Sequence, residues 1–276
     1  MARKSLRKSL QLPASLPLSL RVAFPLAIGV GFLLLWQWAV GYFDVASVIL
    51  PPPAAIGHAL FADRATLFQS LLTTLGITIE ALFLAFVAGA LGAILFARSR
   101  LAEVGLFPYA VILQVTPSIS LAPLIVIWVG LDHIDRALLI LATIVAFFPI
   151  LSNTTLGLRS VDPNLRDLFQ INKASSWQRL VQLELPSALP YLLGGLRISG
   201  GLALIGAVVA EYVAGSGTDM GLGWRVIEAA NRLNIAGMFA ALALLSGLGL
   251  LIFAALSVLQ HFLLRRWHES ALGDFR

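Results

Sequence analysis

The chain has 276 residues, of which 59% are hydrophobic and 12% are charged, and its mean hydropathy is +0.90. Soluble domains contain about 25% charged residues, so the composition excludes a soluble globular domain and indicates an all-α integral membrane protein. The net charge is +5 and there is no cysteine, which excludes disulfides and thiolate metal sites.

Six apolar segments are each long enough to cross a bilayer, which takes about 20 helical residues. They cover about residues 22–42, 71–97, 105–130, 137–158, 190–213 and 237–263. A short interfacial helix is expected over 54–61, a tight turn over 131–135, and a glycine-rich loop over 215–223. The sequence therefore divides into a basic tail (1–21), one transmembrane domain (22–264) and a second tail (265–276).

Lysine and arginine residues predict the orientation, because connections rich in them stay in the cytoplasm. Of the 19 such residues, 14 lie in the two tails and in the connections that follow spans two and four. An even number of spans places all of these segments on one side, so both termini are expected in the cytoplasm. Topology thus explains the net charge without a nucleic-acid partner, and the basic tail is expected to contact anionic lipid.

Reactive and nucleotide-binding motifs are absent from the sequence. It contains no HExxH, no GxSxG and no phosphate-binding GxxxxGK[ST], and Gly-Lys never occurs. The four histidines are scattered at or outside the span ends. We therefore expect no active site, no metal site and no ATP site in this chain. Uphill transport would need an ion gradient or ATP hydrolysed by another subunit.

Prolines and polar side chains interrupt spans three and four. Pro117 and Pro123 lie in span three and Pro149 in span four. Proline removes a helical hydrogen bond and kinks the helix, and the freed carbonyls need polar partners. The polar interior is interpreted as a translocation path, with helix–helix hydrogen bonding as the alternative. The candidate path residues are Gln114, Thr116, Ser118, Asn153, Arg197 and Glu211.

Three charged residues lie inside the spans, namely Glu80, Arg197 and Glu211. Charges in lipid are costly, so they usually face protein or a water-filled cavity. They indicate a polar pathway or gate, or else a structural ion pair or side chains that reach the interface. The midplane is otherwise nearly free of charge, which argues against ion coupling.

The connection over residues 160–190 is the longest one on the predicted cytoplasmic side, and its middle is polar. A first helix is expected to begin at Pro163 and a second at Ser175, which is suited to an N-cap. Pro186 and Pro190 are expected to redirect the chain into span five. The pattern predicts two short amphipathic helices along the cytoplasmic surface, either without a partner or with a bend that inserts into a partner's groove.

The sequence LELPSALPYLLGGLRISGGLALIGAVVAEYVAG at 183–215, followed by GLGW, resembles the permease subunit of type I ABC importers. It is most similar to the group that handles nitrate, taurine, aliphatic sulfonates and pyrimidine vitamin precursors. The resemblance covers about residues 45–268 and is strongest over 183–223. It implies the type I permease fold in the bacterial cytoplasmic membrane, a homodimer of permeases, a cytoplasmic ABC ATPase subunit and an external solute-binding protein.

The family's cytoplasmic loop carries the signature E-A-A-x-x-x-G, which is followed about a dozen residues later by L-P. The bend of that loop docks on the ATPase. Aligning Leu185 and Pro186 with the L-P places the glycine of the signature at Lys173, which is expected to cap the carbonyls at the end of the first helix. The resemblance implies an ATPase-coupling loop made of Asp167, Leu168, Phe169, Lys173, Ala174, Ser175 and Pro186, of which the first four depart from the signature, conservatively only at Asp167.

The resemblance also implies that this chain binds no cofactor, since ATP and Mg belong to the partner ATPase. Gly217, Gly221 and Gly223 are expected to face the external binding protein. The uncharged path and the RRWHES ending favour an aromatic or heterocyclic solute such as a pyrimidine precursor, ahead of sulfonates, taurine and nitrate.

The alternative is an ion-gradient-driven secondary carrier or channel, which would show an inverted repeat and more ionisable residues at the midplane. A third possibility, an intramembrane enzyme, would need the reactive cluster that the sequence lacks.

Overall fold

The computed structural model describes residues 18–214 and 220–265, and the described residues form helices and short connections without a β-strand. Most of the two predicted tails, and Gly217, lie outside these ranges. The α-helices are α1 (Leu18–Tyr42), α2 (Pro53–Ala62), α3 (Arg64–Arg98), α4 (Arg100–Val115), α5 (Ser118–Val129), α6 (Ile134–Arg159), α7 (Pro163–Ile171), α8 (Ser176–Arg179), α9 (Leu185–Ala214), α10 (Leu222–Asn231) and α11 (Ile235–Leu264).

Five of the six predicted spans are single helices that are long and apolar enough to cross a membrane. They are α1, α3, α6, α11 and a helix that runs from Ser176 to Val213. The sixth consists of α4 and α5, which meet at an angle of 103°. The all-helical membrane architecture is therefore confirmed, with one span divided into two helices.

The prediction of one kinked helix over 105–130 is corrected at Thr116 and Pro117. Both residues are extended, with ψ values of 126° and 114°. Proline disfavours the helical conformation in the residue before it and lacks the N–H that would continue the ladder. Pro123 and Pro149, by contrast, lie inside continuous helices, so the expectation that Pro123 interrupts the span is wrong.

The core is formed by α3, α6 and α9, which pack through small side chains. Lipid is as apolar as a leucine side chain, so helices in membranes associate by close packing and interhelical hydrogen bonds. Ser199 on α9 is buried and its hydroxyl donates a hydrogen bond of 2.6 Å to the carbonyl of Ala146 on α6. The fully buried alanines of these three helices are Ala81, Ala85, Ala93, Ala137, Ala142, Ala146, Ala203, Ala207 and Ala210.

Glycines bring the backbones of the core helices into contact. A Cβ atom on Gly206 of α9 would lie 2.8 Å from the Cα atom of Ala142 on α6. On Gly195 it would lie 2.9 Å from the carbonyl oxygen of Pro149, and on Gly157 it would lie 2.9 Å from the Cα atom of Ala188. The α6–α9 contact therefore depends on the absence of side chains at these positions.

Two ends of the bundle can be distinguished by the residues that meet there. The lower end contains the α3–α4 corner at 98–103 and the segment 159–184, which are joined by ion pairs. The upper end contains the start of α3, the end of α9 and α10, which are joined by hydrogen bonds of Thr74 and Ser70. Because α3 has 35 residues, it is about 52 Å long and connects the two ends.

The first helix lies at the periphery. Its side chains are mostly exposed. The centre of the Trp36 ring lies 5.8 Å from that of the Phe239 ring on α11. The Gln37 Oε1 atom accepts a hydrogen bond from the N–H of Ala54 on α2. The outward leucine and phenylalanine side chains of α1 and α11 suit contact with lipid.

We predict that Gly206→Ala lowers the stability of the protein in detergent. The added methyl group meets the backbone of Ala142, which cannot move independently of α6, so the cost should be about 1–3 kcal/mol. The midpoint of thermal unfolding, measured by fluorescence-detected size exclusion, tests this. Gly201→Ala on the same helix is the matched control, because its Cβ atom has no neighbour within 4 Å. Equal midpoints for the two variants would contradict the close α6–α9 contact.

Candidate functional site

Residues 160–184 connect α6 to α9 and project from the lower end of the bundle. We call them the docking segment. Its first helix, α7, begins as the sequence predicts. Pro163 occupies the first helical position, and the Asp162 carboxylate accepts a hydrogen bond of 2.7 Å from the N–H of Asn164. Proline and an acidic N-cap residue both favour a helix start.

The end of α7 is closed by its own main chain. The N–H of Lys173 donates to the carbonyl of Gln170, and the N–H of Ala174 donates to the carbonyl of Phe169, both at 3.0 Å. This is the Schellman arrangement, which requires a left-handed residue, and Lys173 has φ of +55°. The carbonyls are therefore capped by main-chain N–H groups, and the role predicted for the lysine side chain is corrected.

The left-handed conformation at Lys173 is one that glycine, the residue implied by the family resemblance at this position, would adopt more readily. The family signature has glycine at this position, and glycine adopts positive φ without strain. In this chain the left-handed position is occupied by a lysine. The lysine side chain is exposed.

The second helix begins at Ser175, as predicted. The Ser175 hydroxyl accepts a hydrogen bond from the N–H of Gln178, and the Gln178 side chain accepts one of 2.8 Å from the N–H of Ser175. This reciprocal capping box satisfies two N–H groups at the helix start.

The expected redirection of the chain at Pro186 and Pro190 is wrong. A π-helical turn over Leu180–Glu184 connects α8 directly to α9, with the N–H of Leu185 bonded to the carbonyl of Leu180. The i→i+5 pattern carries the helix up to Pro186, which has no N–H to donate. The docking segment thus consists of one separate helix, a left-handed turn and the lower extension of α9.

The exposed face of the docking segment combines charged and apolar side chains. Asp167, Ser175 and Pro186 are exposed, whereas Phe169 and Ala174 are partly buried. Leu168 is 51% exposed and Trp177 is 71% exposed. An exposed tryptophan beside leucines is typical of a protein-interaction surface.

The candidate path residues on α4 and α5 lie near the bend between these helices, whereas Asn153 lies within the continuous helix α6. The Thr116 hydroxyl donates to the carbonyl of Ile112 at 2.7 Å, and the Asn153 amide donates to the carbonyl of Pro149 at 2.8 Å. Ser118 begins α5 and is partly buried. The Gln114 Oε1 atom is buried and accepts no hydrogen bond from the described residues, so a polar group remains available beside the bend.

Arg197 and Glu211 are not brought together. They are fourteen residues apart on α9, a distance of about 21 Å along a helix, so they form no ion pair with each other. The guanidinium carbon of Arg197 lies 5.4 Å from the centre of the Phe253 ring on α11. This cation–π geometry links α9 to α11.

Glu211 ties the glycine-rich connection to the upper end. It is buried, and one carboxylate oxygen accepts a hydrogen bond of 2.7 Å from the Thr74 hydroxyl. The other accepts one of 2.6 Å from the N–H of Gly223, while Thr74 accepts one of 2.8 Å from the N–H of Leu222. A carboxylate at the start of α10 also interacts favourably with the helix dipole.

Gly221 and Gly223 are buried against the Glu211 carboxylate. A Cβ atom on Gly221 would overlap both carboxylate oxygens, and one on Gly223 would lie 2.7 Å from the Oε2 atom. The two glycines therefore allow the connection to approach α9. Contact of this connection with an external protein stays a prediction, and Gly217 lies outside the described residues.

A polar cavity of about 270 Å³ at the upper end was not predicted from the sequence. Its charged lining comes from Asp63, Arg225, Glu228 and Arg232. Glu228 forms ion pairs with Arg225 at 2.7 Å and with Arg232 at 2.9 Å. The signal was the spacing of Arg225, Glu228 and Arg232 on one face of α10, although the hydrogen bond from the Arg225 Nε–H to the Ser70 hydroxyl on α3 required the fold.

A second cavity, of about 540 Å³, lies among α3, α4, α5 and α6 and is lined almost entirely by apolar side chains. Thr116 and Tyr109 are its polar members. Among residues 18–214 and 220–265, no group of three acidic or histidine side chains is arranged to hold a metal ion.

Comparison with known proteins identifies the family. Residues 81–268 match the model of the binding-protein-dependent transport system inner membrane component. A probable ABC transporter permease protein of Haemophilus influenzae is 33% identical over 242 residues, which cover 88% of this chain and 97% of that protein. The riboflavin transport system permease protein of Chloroflexus aurantiacus is 33% identical over 240 residues, which cover 86% and 87% of the two chains.

Further relatives are named for the transport of aliphatic sulfonates, formylaminopyrimidine, bicarbonate and taurine. The fold is similar to that of an inward-facing methionine ABC transporter, with a TM-score of 0.59, 22% identity, and coverage of 70% of this chain and 94% of the other. The chain belongs to the inner-membrane permease components of binding-protein-dependent transport systems, and it is a multi-pass permease subunit of a type I ABC importer.

We predict that Lys173→Gly slows amide exchange in the turn after α7. A left-handed conformation destabilises a lysine by about 1–2 kcal/mol, and glycine at this position avoids that cost. The greater flexibility of glycine in the unfolded chain reduces the resulting stabilisation by about 0.5–1 kcal/mol. Hydrogen exchange of the Lys173 and Ala174 amides tests this.

The matched controls separate strain from charge at this position. Lys173→Ala removes the charge but keeps the strain, so exchange should stay near that of the original protein. Lys173→Val adds a β-branched side chain, which tolerates positive φ poorly, and exchange should be faster. Faster exchange in Lys173→Gly than in the original protein would contradict the left-handed turn.

We predict that Gly221→Ala and Glu211→Ala are strongly non-additive. The first overlaps the carboxylate and the second leaves a buried N–H without an acceptor, and each should cost about 1–3 kcal/mol. In the double variant the methyl group occupies the space of the lost carboxylate, so the combined cost should fall short of the sum by about 0.5–3 kcal/mol.

Thermal midpoints of the two single variants and the double variant measure this coupling. Gly194→Ala, whose Cβ atom has no neighbour within 4 Å, is the matched control and should be additive with Glu211→Ala. Additivity of Gly221→Ala with Glu211→Ala would mean that the carboxylate does not lie against Gly221.

Proposed function

We propose that this chain forms the translocation path of an ATP-driven importer whose ATP is hydrolysed by a separate ABC ATPase subunit docked on residues 160–184. One observation carries the proposal. The docking segment presents a capped helix, a left-handed turn and a second capped helix, with Leu168 and Trp177 exposed. The permease family places its coupling loop at this position, and the chain has no phosphate-binding motif of its own.

The lower end is proposed to face the cytoplasm. Arg98, Arg100, Arg159, Arg166 and Arg179 lie at this end, which agrees with the preference of basic connections for the cytoplasmic side. An ATPase in the cytoplasm would then reach the docking segment directly.

The upper end is proposed to receive the external solute-binding protein. The ion pairs of Glu228 on α10 and the polar cavity beside Asp63 give this end a charged surface, and such surfaces steer and orient a partner. The glycine-rich connection over 215–223 is proposed to lie within the area that the binding protein covers.

Two copies of the chain are proposed to enclose the path. Large apolar side chains are exposed on the described helices, which is what contact with lipid and with a second permease would require. The homodimer is the arrangement that the family resemblance implies, and ATP and Mg would reside on the ATPase partner.

The solute is proposed to be a small aromatic or heterocyclic nutrient such as a pyrimidine precursor, with sulfonates, taurine and nitrate as the next candidates. The polar side chains at the bend, Gln114, Thr116 and Ser118, are uncharged, and the cavity beside them is largely apolar. These properties suit a neutral ring better than an anion. The relatives named for riboflavin and formylaminopyrimidine support the same class.

We predict that Leu168→Asp abolishes co-purification of the ATPase with the tagged chain. A charge at the centre of an apolar interface typically costs about 2 kcal/mol or more, whereas the exposed position leaves the fold intact. Purification from native membranes in mild detergent, with identification of partners by mass spectrometry, provides the measurement. Reversal of charge in Asp167→Arg should weaken the association in the same direction.

Phe61→Asp is the matched control, because Phe61 is an exposed apolar residue at the upper end. This variant should retain the ATPase. If Leu168→Asp and Asp167→Arg retain it as well, the docking surface lies elsewhere. If no nucleotide-binding subunit accompanies the original protein, the proposed function is wrong.

A further inference from the structure

The α3–α4 corner at the lower end is joined by ion pairs to both ends of the docking segment. Arg98, the last residue of α3, pairs with Glu184 at 3.0 Å. Glu103, in the first turn of α4, pairs with Arg159, the last residue of α6. The docking segment therefore begins beside one of these pairs and ends at the other.

The acidic partners of both pairs are largely shielded from solvent. The Glu103 side chain is 15% exposed and the Glu184 side chain is 13% exposed. Ion pairs between fully exposed side chains are weak because water and salt screen them. Shielded carboxylates with charge-assisted hydrogen bonds hold their partners in a defined position, so these pairs fix the corner against the docking segment.

The helix that follows the corner is weakly packed. None of the side chains of α4, all of which the structure describes, is buried. Its packing includes the Phe107 ring, whose centre lies 6.2 Å from that of Phe96 and 6.0 Å from that of Phe148. Such a helix can move relative to the core more easily than α3, α6 or α9.

The corner itself has the geometry of a hinge. Ser99 is extended, with φ of −133° and ψ of 108°, and it separates α3 from α4. The Ser99 hydroxyl accepts a hydrogen bond of 3.2 Å from the N–H of Ala102, which caps α4 independently of α3. At its other end α4 leads to the 103° bend, where Thr116 and Ser118 lie. A displacement at the base of α4 is therefore carried to the bend.

We propose that Glu103 and Glu184 are positioning residues that transmit movement of the docking segment to α4 and so to the polar bend. This inference rests on the proposed function, since the movement is produced by the ATPase. When the ATPase displaces α7 or α8, the displacement reaches the α3–α4 corner through both ion pairs. The corner then moves with the docking segment, and α4 changes its angle at the hinge.

The inference is tested by the reactivity of a thiol at the bend. The chain has no cysteine, so Ser118→Cys introduces a single thiol into this subunit. The permease is purified with its ATPase in lipid nanodiscs, and the rate of labelling by a water-soluble maleimide is measured with and without ATP and vanadate. The rate should change by about fivefold or more, the lower end of the usual coupling between two sites.

Charge reversals then separate transmission from simple stability. Glu184→Arg and Glu103→Arg should each remove most of the nucleotide-dependent change while the ATPase remains bound. The double change Arg98→Glu with Glu184→Arg restores an ion pair of opposite polarity, and it should restore the response. Arg159→Glu with Glu103→Arg should do the same for the second pair. A residue needed only for folding would lower the yield or thermal midpoint without this selective loss and rescue.

Two matched controls accompany these variants. Arg100 also pairs with Glu103, at 2.8 Å, but it lies on the same helix and joins no second element. Arg100→Ala should therefore keep the response. Phe61→Cys, an exposed position at the end of α2, replaces Ser118→Cys as the reporter and should label at the same rate with and without nucleotide.

The outcomes distinguish this inference from the proposed function. A full response in both Glu184→Arg and Glu103→Arg, with the ATPase bound, overturns the positioning role alone. Loss of the response in Arg100→Ala, or no recovery in either double change, overturns it as well. If the original complex gives no nucleotide response although the ATPase is bound, the positioning role is wrong, whereas the proposed function is overturned only if no ATPase accompanies the chain.

Discussion

The fold depends on the close approach of α6 to α9, with α3 packed alongside. In lipid, helices gain little from burying apolar surface against one another, so the contact must come from backbone proximity and hydrogen bonds. Gly157, Gly195 and Gly206 permit this proximity, and the Ser199 hydroxyl bonded to the Ala146 carbonyl fixes it. Every functional surface is an extension of these three helices. The docking segment connects α6 to α9, the corner ends α3, and Glu211 lies near the upper end of α9.

The two ends of the bundle are stabilised by different chemistry, which suits different tasks. At the upper end, a buried carboxylate, a threonine hydroxyl and two main-chain N–H groups form a connected network. Such networks are rigid because each member would be costly to leave unpaired. At the lower end, partly exposed ion pairs join the end of α3 to the π-helical turn before α9 and the end of α6 to the weakly packed α4. Partly exposed pairs of this kind hold their partners less rigidly than a buried network does.

The turn at Lys173 shows that main-chain hydrogen bonds can hold a residue other than glycine in a left-handed conformation. Lys173 stands where the resemblance implies a glycine, it adopts a left-handed conformation, and the main-chain bonds that close α7 offset the strain. Judged by residue identity, the segment departs from the signature. In its backbone conformation, the docking segment forms a capped helix, a tight turn and a second capped helix. A partner's groove would contact this backbone shape.

The sequence by itself determined the membrane class, the approximate spans, the starts of α7 and α8 and the family, because these depend on local composition, capping residues and contiguous motifs. It did not determine that Pro117 divides a span whereas Pro123 and Pro149 do not, since neighbouring helices decide whether a freed carbonyl finds a partner. It also did not reveal the contacts of Glu211 with Thr74 and Gly223, or those of Glu103 with Arg159. These partners lie far apart in the chain, or face one another only when helix ends meet, so only the tertiary structure could bring them together.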